Sequence, residues 1–299
     1  MIIILLSTYN GEKYIKEQLD SLYAQTYKKF QIFVRDDGST DRTMEILKSY
    51  NLKIIPSSSN LGATDSFFTL LEYVLENSSS QYFMFCDQDD IWEKDKIENT
   101  LAKIQEIEKL NNEIPILIHT DLKVVNENLN ILNESLLSYQ NINAKHNNFN
   151  NLLMQNIVTG CTMMINRKLA KMCCSIPKEC ILHDWWIGLV ASQFGRIGYL
   201  NKSTIRYRQH TSNCVGAKKF DFNYIKSILE KNKILTKNII QAKAFLNIYT
   251  DILDNSIVKM LEDFISINEK SFLEKRWILF KYKLYKQGLR RNIGLFLKI

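Results

Sequence analysis

The sequence has few of the residues that interrupt regular secondary structure: its 299 positions include only 10 glycines and 3 prolines. It also lacks any apolar run near the roughly 18 residues of a membrane span. With 45% hydrophobic and 24% charged residues, the chain is not a disordered one, and its length suits an α/β domain plus a smaller second region. The opening apolar segment, residues 2–6, has neither the charged start nor the cleavage site of a signal peptide. We therefore expect the protein to remain in the cytoplasm.

Cysteine pairs with the spacing of a zinc or redox motif are also missing. The six cysteines include no CxxC pair. A zinc site is conceivable only from one poorly spaced set of side chains, so we favour reduced, mostly buried thiols in a cytosolic protein. That set comprises Cys173, Cys174, Cys180 and His183.

An excess of basic over acidic residues is absent from most of the chain and is confined to its end. Residues 271–299 contain eight Lys or Arg and one Glu, which accounts for the whole net charge of +7. On one helical wheel, the basic residues share a face and most aromatic and apolar residues lie elsewhere. This pattern favours an interfacial helix on an anionic membrane, with a solvated face packed on the rest of the protein as the alternative. Nucleic-acid binding is least favoured, because no known binding motif is present. The basic face comprises Lys275, Arg276, Lys283, Lys286 and Arg290.

Short apolar runs alternate with helical patterns through the first hundred residues. The runs indicate strands that are buried on both faces, and they are residues 2–6, 31–35, 52–55 and 81–86. This order predicts an α/β fold with a mostly parallel sheet, helices on both faces, and ligands at the carboxyl ends of the strands. Polar clusters follow three of the runs, at residues 7–10, 36–41 and 87–90.

The cluster Asp87-Gln-Asp-Asp90 places three carboxylates within four residues at the end of a predicted strand. Such carboxylates repel one another unless a cation or solvent compensates them. Mg²⁺ and Mn²⁺ prefer carboxylate and phosphate oxygens, so we expect Asp89, with Asp87, to bind one of these ions. The alternative is a solvated acidic turn in which Asp90 caps a helix over residues 91–98.

The cluster Asp36-Asp-Gly-Ser-Thr-Asp41 forms the second candidate site. A carboxylate there can accept a hydrogen bond from a pyrimidine imide, and Gly38 lets the backbone approach a ligand closely. The pattern alone fits a capped turn into a helix nearly as well.

Together, four motifs resemble the family 2 glycosyltransferases with a GT-A fold. They are Leu6-Ser-Thr-Tyr-Asn-Gly11, Val34-Arg-Asp-Asp-Gly-Ser-Thr-Asp41, Asn60-Leu-Gly62 and Phe85-Cys-Asp-Gln-Asp-Asp-Ile-Trp92. The resemblance implies that Asp87 and Asp89 contact the ribose, the diphosphate and the metal of a nucleotide-sugar. The nucleotide-binding residues that it implies are Ser7, Thr8, Tyr9, Asp36, Asp37 and Asp87. One departure is the helix at residues 63–71, which lacks the Arg that many members carry near the donor.

Four later motifs are similar to the rhamnosyltransferase-type subset of that family. They are Ile118-His-Thr-Asp-Leu122, Val158-Thr-Gly-Cys-Thr-Met-Met-Ile-Asn-Arg167, His183-Asp-Trp-Trp186 and Tyr207-Arg-Gln-His210. By this resemblance Asp184 is the catalytic base, which an inverting displacement requires on the face opposite the leaving nucleotide. A helix-capping role for Asp184 is the alternative, and both can hold at once.

Roles for the remaining residues of these motifs follow from the same resemblance. His210 is expected to complete the metal shell or contact phosphate, with a structural role as the alternative. The acceptor-binding candidates are Asp121, Gly160, Trp185 and Trp186. Adjacent residues on a helix point apart, so we expect one of the two tryptophans to pack in the core.

The domain organisation predicted from these patterns has a GT-A catalytic domain followed by a helical, basic region. Between residues 101 and 212 the pattern indicates a charged helix, two strands at 114–120 and 158–165, and an Asn-rich loop at 126–151. Beyond His210 only helical periodicity remains. The boundaries are 1–212 for the catalytic domain, with nucleotide-sugar-binding (1–100) and acceptor-binding (101–212) halves, and 213–299 for the helical region.

The function predicted is inverting sugar transfer from a nucleotide-diphosphate sugar to a glycan or lipid-linked acceptor, dependent on Mn²⁺ or Mg²⁺. The subset resemblance suggests dTDP-rhamnose as donor and bacterial surface polysaccharide synthesis as the process, on the inner face of the membrane. A nucleotidyltransferase is one alternative, although residues 7–11 lack its Gly-rich, basic loop. A non-catalytic nucleotide-sugar or polysaccharide binder is the other, although it would have no use for a base such as Asp184.

Overall fold

The structure, a computed structural model, describes residues 1–57, 59–111, 113–174, 176–210 and 235–299. Nine strands within these ranges form one sheet. The strands are β1 (Ile2–Thr8), β2 (Phe30–Asp36), β3 (Lys53–Ile54), β4 (Tyr82–Cys86), β5 (Ile91–Trp92), β6 (Ile116–Val125), β7 (Ile131–Asn133), β8 (Met164–Asn166) and β9 (Arg196–Arg208). Their order is β3-β2-β1-β4-β8-β6-β9-β5, and β7 pairs with the last two residues of β6.

Parallel pairing dominates the sheet. The first four strands in this order are parallel to one another, and β6 is parallel to β9 along most of its length. The antiparallel pairs are short: β8 with β4 and β6, β5 with β9, and β7 with β6. The predicted α/β fold with a mostly parallel sheet is confirmed.

Helices cover both faces of this sheet. They are α1 (Ile15–Tyr23), α2 (Thr43–Lys48), α3 (Gly62–Asn77), α4 (Lys96–Glu108), α5 (Leu136–Tyr139), α6 (Phe149–Met154), α7 (Arg167–Met172), α8 (His183–Phe194), α9 (Thr236–Tyr249), α10 (Asn255–Ile265), α11 (Phe272–Lys281) and α12 (Leu289–Lys298). Successive side chains of a strand point to opposite faces, so Ile3 and Leu5 of β1 pack with α3, α6 and α8, whereas Ile2, Ile4 and Leu6 pack with α1 and α4. All five side chains are fully buried, which explains the continuous apolar run.

Three predicted segments in the middle of the chain differ from the structure. The strand predicted at 158–165 is mostly absent, because residues 160–162 form a 3-10 helix and β8 covers only Met164–Asn166. Asp90 does not cap a helix, because β5 follows it and α4 begins only at Lys96. The Asn-rich segment at 126–151 is not one irregular loop, since it contains β7, α5 and α6. Side chains of Ser135 and Asn148 accept hydrogen bonds from the amides three residues onward and so cap α5 and α6.

The basic C-terminal segment forms two helices rather than the single one that the helical wheel assumed. The chain turns between α11 and α12, where Lys283 and Gly288 both have positive φ angles, of 52° and 85°. Glycine adopts such angles without steric cost, so Gly288 suits the start of α12. The predicted single basic face is therefore wrong.

Helices α9 to α12 share an apolar core with the sheet domain. Phe245, Leu279 and Leu295 are buried in the same cluster as Phe149 and Trp186. The boundary at residue 212 stays a prediction, and residues 211–234, which include part of the predicted helical region, lie outside the described residues. None of the helices within the described ranges combines the length and apolar composition that a membrane span requires.

Candidate active site

A cavity of about 570 Å³ opens at the carboxyl ends of β1, β2 and β4. Nine of the predicted catalytic and binding residues line this cavity: Ser7, Thr8, Tyr9, Asp37, Asp87, Asp89, Gly160, Asp184 and Trp185. A cavity of about 620 Å³ between residues 176–179 and α9 contains none of the predicted residues. The polar clusters that follow separate strands thus meet in one place, as the carboxyl ends of parallel strands do.

Three acidic side chains follow β4 and differ in their surroundings. Asp89 Oδ2 lies 2.8 Å from Nε2 of His210, which brings these two predicted metal ligands together. Burial, together with the nearby carboxylates of Asp89 and Asp184, raises the pKa of Asp87 to about 7. Asp90 is fully buried and accepts a hydrogen bond from the amide of Arg208, so it lies behind the cavity wall. The carboxylates of Asp87 and Asp89 are therefore the pair that faces a ligand.

This pair fits a hard divalent cation. The repulsion that raises the pKa of Asp87 is what a bound cation would relieve. Oxygens of Asp87 and Asp90 and the sulfur of Cys161 also lie within 4.8 Å of one another. Burial raises the pKa of the Cys161 thiol well above its usual range, and a neutral thiol is a poor ligand for Mg²⁺ or Mn²⁺. We therefore assign candidate metal binding to Asp87 and Asp89 on the cavity side, beside His210.

Arg208 holds the backbone of this acidic turn, a role that no sequence motif indicated. Its guanidinium donates to the carbonyl of Asp89 over 3.0 Å and forms an ion pair with Glu17 of α1. Its backbone amide donates to Asp90 over 3.1 Å. The side chain is almost fully buried, and a planar guanidinium presents several donors in a fixed fork. Arg208 therefore fixes the end of β9 against the turn that carries Asp89.

The two aspartates after β2 use their carboxylates within the protein. Asp36 accepts from the hydroxyl of Thr8 over 2.8 Å and lies behind the cavity lining. Asp37 pairs with Arg35 and accepts from the amides of Leu61 and Gly62, over 2.8 and 2.7 Å. Asp37 therefore shapes the Asn60-Leu-Gly62 turn and also faces the cavity, whereas Asp36 acts through Thr8.

Tyr9 provides an exposed aromatic ring at the same end of the cavity. Its side chain is 49% exposed, although it lines the cavity. The amide of Gln88 donates to the carbonyl of Tyr9 over 2.9 Å and accepts from its N–H over 2.8 Å. Gln88 therefore joins the ends of β1 and β4, and a flat ring held in this way can stack on a base or a sugar.

Asp184 lies in the first turn of α8 and is nearly buried in the cavity wall. Its two oxygens accept from the amide of Asn156 and the backbone N–H of Gly160, each over 3.0 Å. Burial raises the pKa of Asp184 to about 7, against these hydrogen bonds, which lower it. A carboxylate that titrates near neutral pH is suited to accept a proton. The alternative prediction that Asp184 caps the helix is wrong, because α8 begins at His183 and its N-cap is Leu182, so Asp184 lies within the first turn.

The predicted acceptor residues occupy different environments. Trp185 lines the cavity and donates from its indole nitrogen to the carbonyl of Leu152 over 2.6 Å. Trp186 is fully buried against Phe245, so the acceptor contact predicted for it is wrong. Asp121 is also outside the lining, because its carboxylate holds the amides of residues 136 and 137 at the start of α5. It holds the start of α5, whose Leu136 and Leu137 line the cavity, and does not line the cavity itself.

Comparisons with known proteins bear on this cavity and its fold. Residues 3–172 match the family model described as Glycosyl transferase family 2. The chain is 31% identical over 258 residues to dTDP-rhamnosyl transferase RfbG of Shigella flexneri, an alignment that covers 78% of this chain and 82% of the relative.

Three solved structures, of two proteins, share the fold at low identity. S. aureus TarS has a TM-score of 0.59 at 20% identity over 91% of this chain and 44% of TarS. Its 1-349 form in complex with UDP-GlcNAc has a TM-score of 0.53 at 20% identity, over 94% of this chain and 79% of that form. Mannosyltransferase PcManGT from Pyrobaculum calidifontis, in complex with GDP-Man and Mn²⁺, has a TM-score of 0.53 at 14% identity, over 99% of this chain and 83% of that one. These similarities confirm the predicted GT-A fold.

The family match covers more than half of the chain, and the S. flexneri relative aligns with most of both sequences. The resemblance predicted from the motifs, including the rhamnosyltransferase-like subset, is confirmed. The chain belongs to glycosyl transferase family 2.

Proposed function

We propose that the protein is an inverting, metal-dependent hexosyltransferase that moves a sugar from a nucleotide-diphosphate sugar to a hydroxyl of a glycan or lipid-linked acceptor. The observation that carries the proposal is the convergence of Asp87, Asp89 and Asp184 on one cavity. The first two follow β4 and can hold a cation, and the third lies in the first turn of α8 and can accept a proton. Sugar transfer from a diphosphate needs both groups, in one cleft but at different positions.

The nucleotide binds at the end of the cavity formed by the β1 and β2 termini. Tyr9 offers its ring to the base, and Asp37 and the backbone around Ser7 and Thr8 offer polar contacts. Asp36 supports this site by holding the hydroxyl of Thr8. These assignments keep the predicted nucleotide residues and give Asp36 an indirect role.

Asp87 and Asp89 hold the divalent cation, Mn²⁺ or Mg²⁺, with His210 beside Asp89. When bound, such a cation neutralises charge on the diphosphate as it leaves. The protein's own contribution is to fix the two carboxylates, through Arg208 at the Asp89 carbonyl and Gln88 at the end of β1.

Asp184 accepts the proton of the acceptor hydroxyl. The acceptor oxygen then forms a bond to the anomeric carbon while the bond from that carbon to the diphosphate oxygen breaks, and the electron pair leaves with the nucleoside diphosphate. Asn156 and Gly160 orient the carboxylate for this step. A pKa near 7 leaves the carboxylate ionised in much of the population at neutral pH and still basic enough to accept a proton.

The donor proposed is dTDP-rhamnose. Support comes from the S. flexneri relative, which is named as a dTDP-rhamnosyl transferase and aligns with 78% of this chain. The structural neighbours are described with other donors, UDP-GlcNAc and GDP-Man, so these two sugars are the competing candidates. The process proposed is bacterial surface polysaccharide synthesis.

The C-terminal helices carry the proposed contact with an anionic membrane. On α11, Phe272 and Trp277 are 65% and 61% exposed, and on α12 Leu289 is 77% exposed. Exposed basic side chains, including Lys283 and Arg290, lie close to them in the chain. Apolar side chains that enter the headgroup region, with cations nearby, are the combination that an anionic bilayer binds. The remaining members of this apolar surface are Leu273, Phe280, Ile293 and Leu297.

This surface would bring the cavity to a lipid-linked acceptor at the cytoplasmic face of the cell membrane. The apolar residues of α11 lie within one side of the helix, and those of α12 recur every four residues. A helical face with this spacing lies flat on a surface. The proposal therefore replaces the single basic helix of the sequence prediction with two adjacent helices.

A donor screen tests the proposed function. The purified protein with Mn²⁺ is incubated with dTDP-rhamnose, UDP-GlcNAc and GDP-Man, with and without glycolipid acceptors, and released nucleoside diphosphate is measured. We expect release from dTDP-rhamnose that rises with acceptor and stops with EDTA. Release that is unaffected by EDTA contradicts metal dependence, and no release from any of the three donors with any acceptor contradicts the proposed transfer.

A further inference from the structure

His183 is a buried titratable side chain that the proposed mechanism does not use. It is the first residue of α8, is 8% exposed, and lines the cavity directly before Asp184. Its ring centroid lies 4.5 Å from that of Phe67 and 5.5 Å from that of Phe85. Burial lowers the pKa of His183 to about 3, so the ring is neutral and carries one N–H donor and one nitrogen acceptor.

Both ring nitrogens of His183 lack a hydrogen-bond partner among the residues that the structure describes. Buried polar groups in proteins are nearly always paired, so two orphaned nitrogens in a cavity wall point to a partner that the described residues do not supply. An imidazole serves no packing purpose that phenylalanine would not serve between two aromatic rings. The nitrogens are the feature that needs an explanation.

Gly160 leaves room at this ring. A Cβ atom built on Gly160 would lie 2.5 Å from Nε2 of His183, so any larger residue would displace the imidazole. Gly160 also lines the cavity, and its amide holds Asp184. The same glycine therefore accommodates both the ring and the proposed base.

The position of His183 indicates which part of a substrate it meets. Phe85 precedes Asp87 by two residues, so the ring packs on the strand that carries the proposed diphosphate and metal site. Phe67 belongs to α3, whose first turn also lines the cavity. A group bound here lies between the diphosphate end and Asp184, which is where the transferred sugar must sit.

We propose that His183 recognises a hydroxyl group of the donor's sugar by a hydrogen bond and thereby determines which sugars the protein accepts. This inference rests on the proposed function and deepens it. Both nitrogens are buried between aromatic rings, so a small rotation of the imidazole must accompany binding, and a hydroxyl in the right place then pairs with it whereas a C–H group does not. A site that hydrogen-bonds a hydroxyl discriminates strongly against sugars that lack it.

The test compares His183→Phe, which keeps the aromatic packing, with His183→Gln, which keeps a donor and an acceptor. Dissociation constants for dTDP-rhamnose and for dTDP are measured by calorimetry with Mn²⁺, together with kcat/KM. We expect His183→Phe to weaken dTDP-rhamnose binding and lower kcat/KM by about 10- to 100-fold, with dTDP affinity unchanged within about twofold. His183→Gln should recover part of the loss. His183→Leu serves as the second variant if the phenylalanine does not fold.

Deoxy analogues of dTDP-rhamnose, each lacking one hydroxyl, identify the contact. For the wild type, the analogue that lacks the recognised hydroxyl should bind more weakly than dTDP-rhamnose itself. For His183→Phe, the analogue and dTDP-rhamnose should bind equally well, because the substitution and the missing hydroxyl remove the same hydrogen bond. Equal donor affinity in wild type and His183→Phe, with turnover intact, overturns the role of His183 and leaves the proposed function standing. Parallel loss of dTDP affinity in the variant also overturns it. If the wild type binds neither dTDP-rhamnose nor dTDP, and UDP-GlcNAc and GDP-Man behave in the same way, both proposals fall.

Discussion

In the metal-free protein, the Asp184→Asn variant should become more stable relative to the wild type as the pH rises. Burial raises the pKa of Asp184 from 3.8 to about 7 in the folded state. Between these two values the unfolded chain has released its proton and the folded one has not, so wild-type stability falls as pH rises through this window. Above pH 7 the wild type has lost all of this stability. Asparagine does not titrate, so the variant does not lose stability in this way.

The size of the effect follows from the pKa difference. A rise from 3.8 to about 7 corresponds to about 4 kcal/mol of unfolding free energy, as an upper value, at about 1.4 kcal/mol for each pH unit. Asparagine also turns an N–H group toward Asn156 or Gly160, both of which donate to Asp184. That mismatch costs about 1–3 kcal/mol at every pH and shifts the curve without changing its slope. The prediction therefore concerns how the difference in unfolding free energy between variant and wild type changes with pH, not its absolute value.

Urea unfolding at pH values from 4 to 8.5, in EDTA, measures this slope. The difference in unfolding free energy, Asp184→Asn minus wild type, should increase by a few kcal/mol across the range. Asp95→Asn is the control, because the hydrogen bond from Lys202 holds the pKa of Asp95 below its usual value. The stability that Asp95 contributes is fully present above its unfolded pKa of 3.8, so its difference should be negative and nearly constant from pH 4 to 8.5. A difference for Asp184→Asn that is flat or falls with pH would refute the argument that this carboxyl is buried at a cost.

Three further predictions concern the acidic turn that carries Asp89 and the exposed apolar surface of α11 and α12. Asp89→Ala should abolish the increase in dTDP affinity that Mn²⁺ produces in the wild type, measured by calorimetry with and without the ion; an unchanged increase contradicts its role as a ligand. Arg208→Lys should weaken Mn²⁺-dependent dTDP binding about tenfold, since lysine lacks the fork that holds the Asp89 carbonyl, and wild-type affinity in this variant would discard the positioning role. The double variant Phe272→Ser, Trp277→Ser should float with phosphatidylglycerol vesicles at least about tenfold less than the wild type. Leu110→Ser, which removes a leucine that is 75% exposed, should not change flotation, and equal flotation of all three proteins excludes the surface.

Point variants are preferable to deletion of residues 271–299. Ile278, Leu279 and Leu295 of that segment are buried in the core shared with α8. Their removal would expose apolar surface and disturb the sheet domain itself, so lost vesicle binding would not report on the membrane surface.

The first half of the fold was predictable because its strands are buried on both faces. Ile2–Thr8 is one continuous apolar run until its last two residues, and its short length and isoleucine content favour a buried strand over a helix. Polar clusters at the ends of such strands predicted the site, because parallel strands end at one edge of a sheet.

The second half was harder to predict because its strands lie partly exposed or are interrupted. Strand β9 runs from Arg196 to Arg208 through a polar stretch that begins at Asn201, and its partner β6 is needed to hold it. The turn at Gly288 also has no pattern of its own inside a helical periodicity. Contacts with distant parts of the chain determine both the path of β9 and the turn at Gly288.

In the site, motif residues were predictable and their supports were not. Asn156 reaches Asp184 across 28 positions, and Arg208 reaches Asp89 across 119. No local spacing reports contacts of that separation. Orphaned nitrogens, such as those of His183, are visible only once the surrounding side chains are placed.

The central claim is that Asp184 acts on the acceptor while other carboxylates hold the nucleotide, and Asp184→Asn tests it most directly. Initial rates of dTDP release from dTDP-rhamnose with acceptor are measured beside the dissociation constant of dTDP in Mn²⁺. We expect the rate to fall by about 1,000-fold and the dissociation constant to stay within about twofold of the wild type. Full turnover in the variant, or a loss of dTDP affinity as large as the loss of rate, would contradict the account.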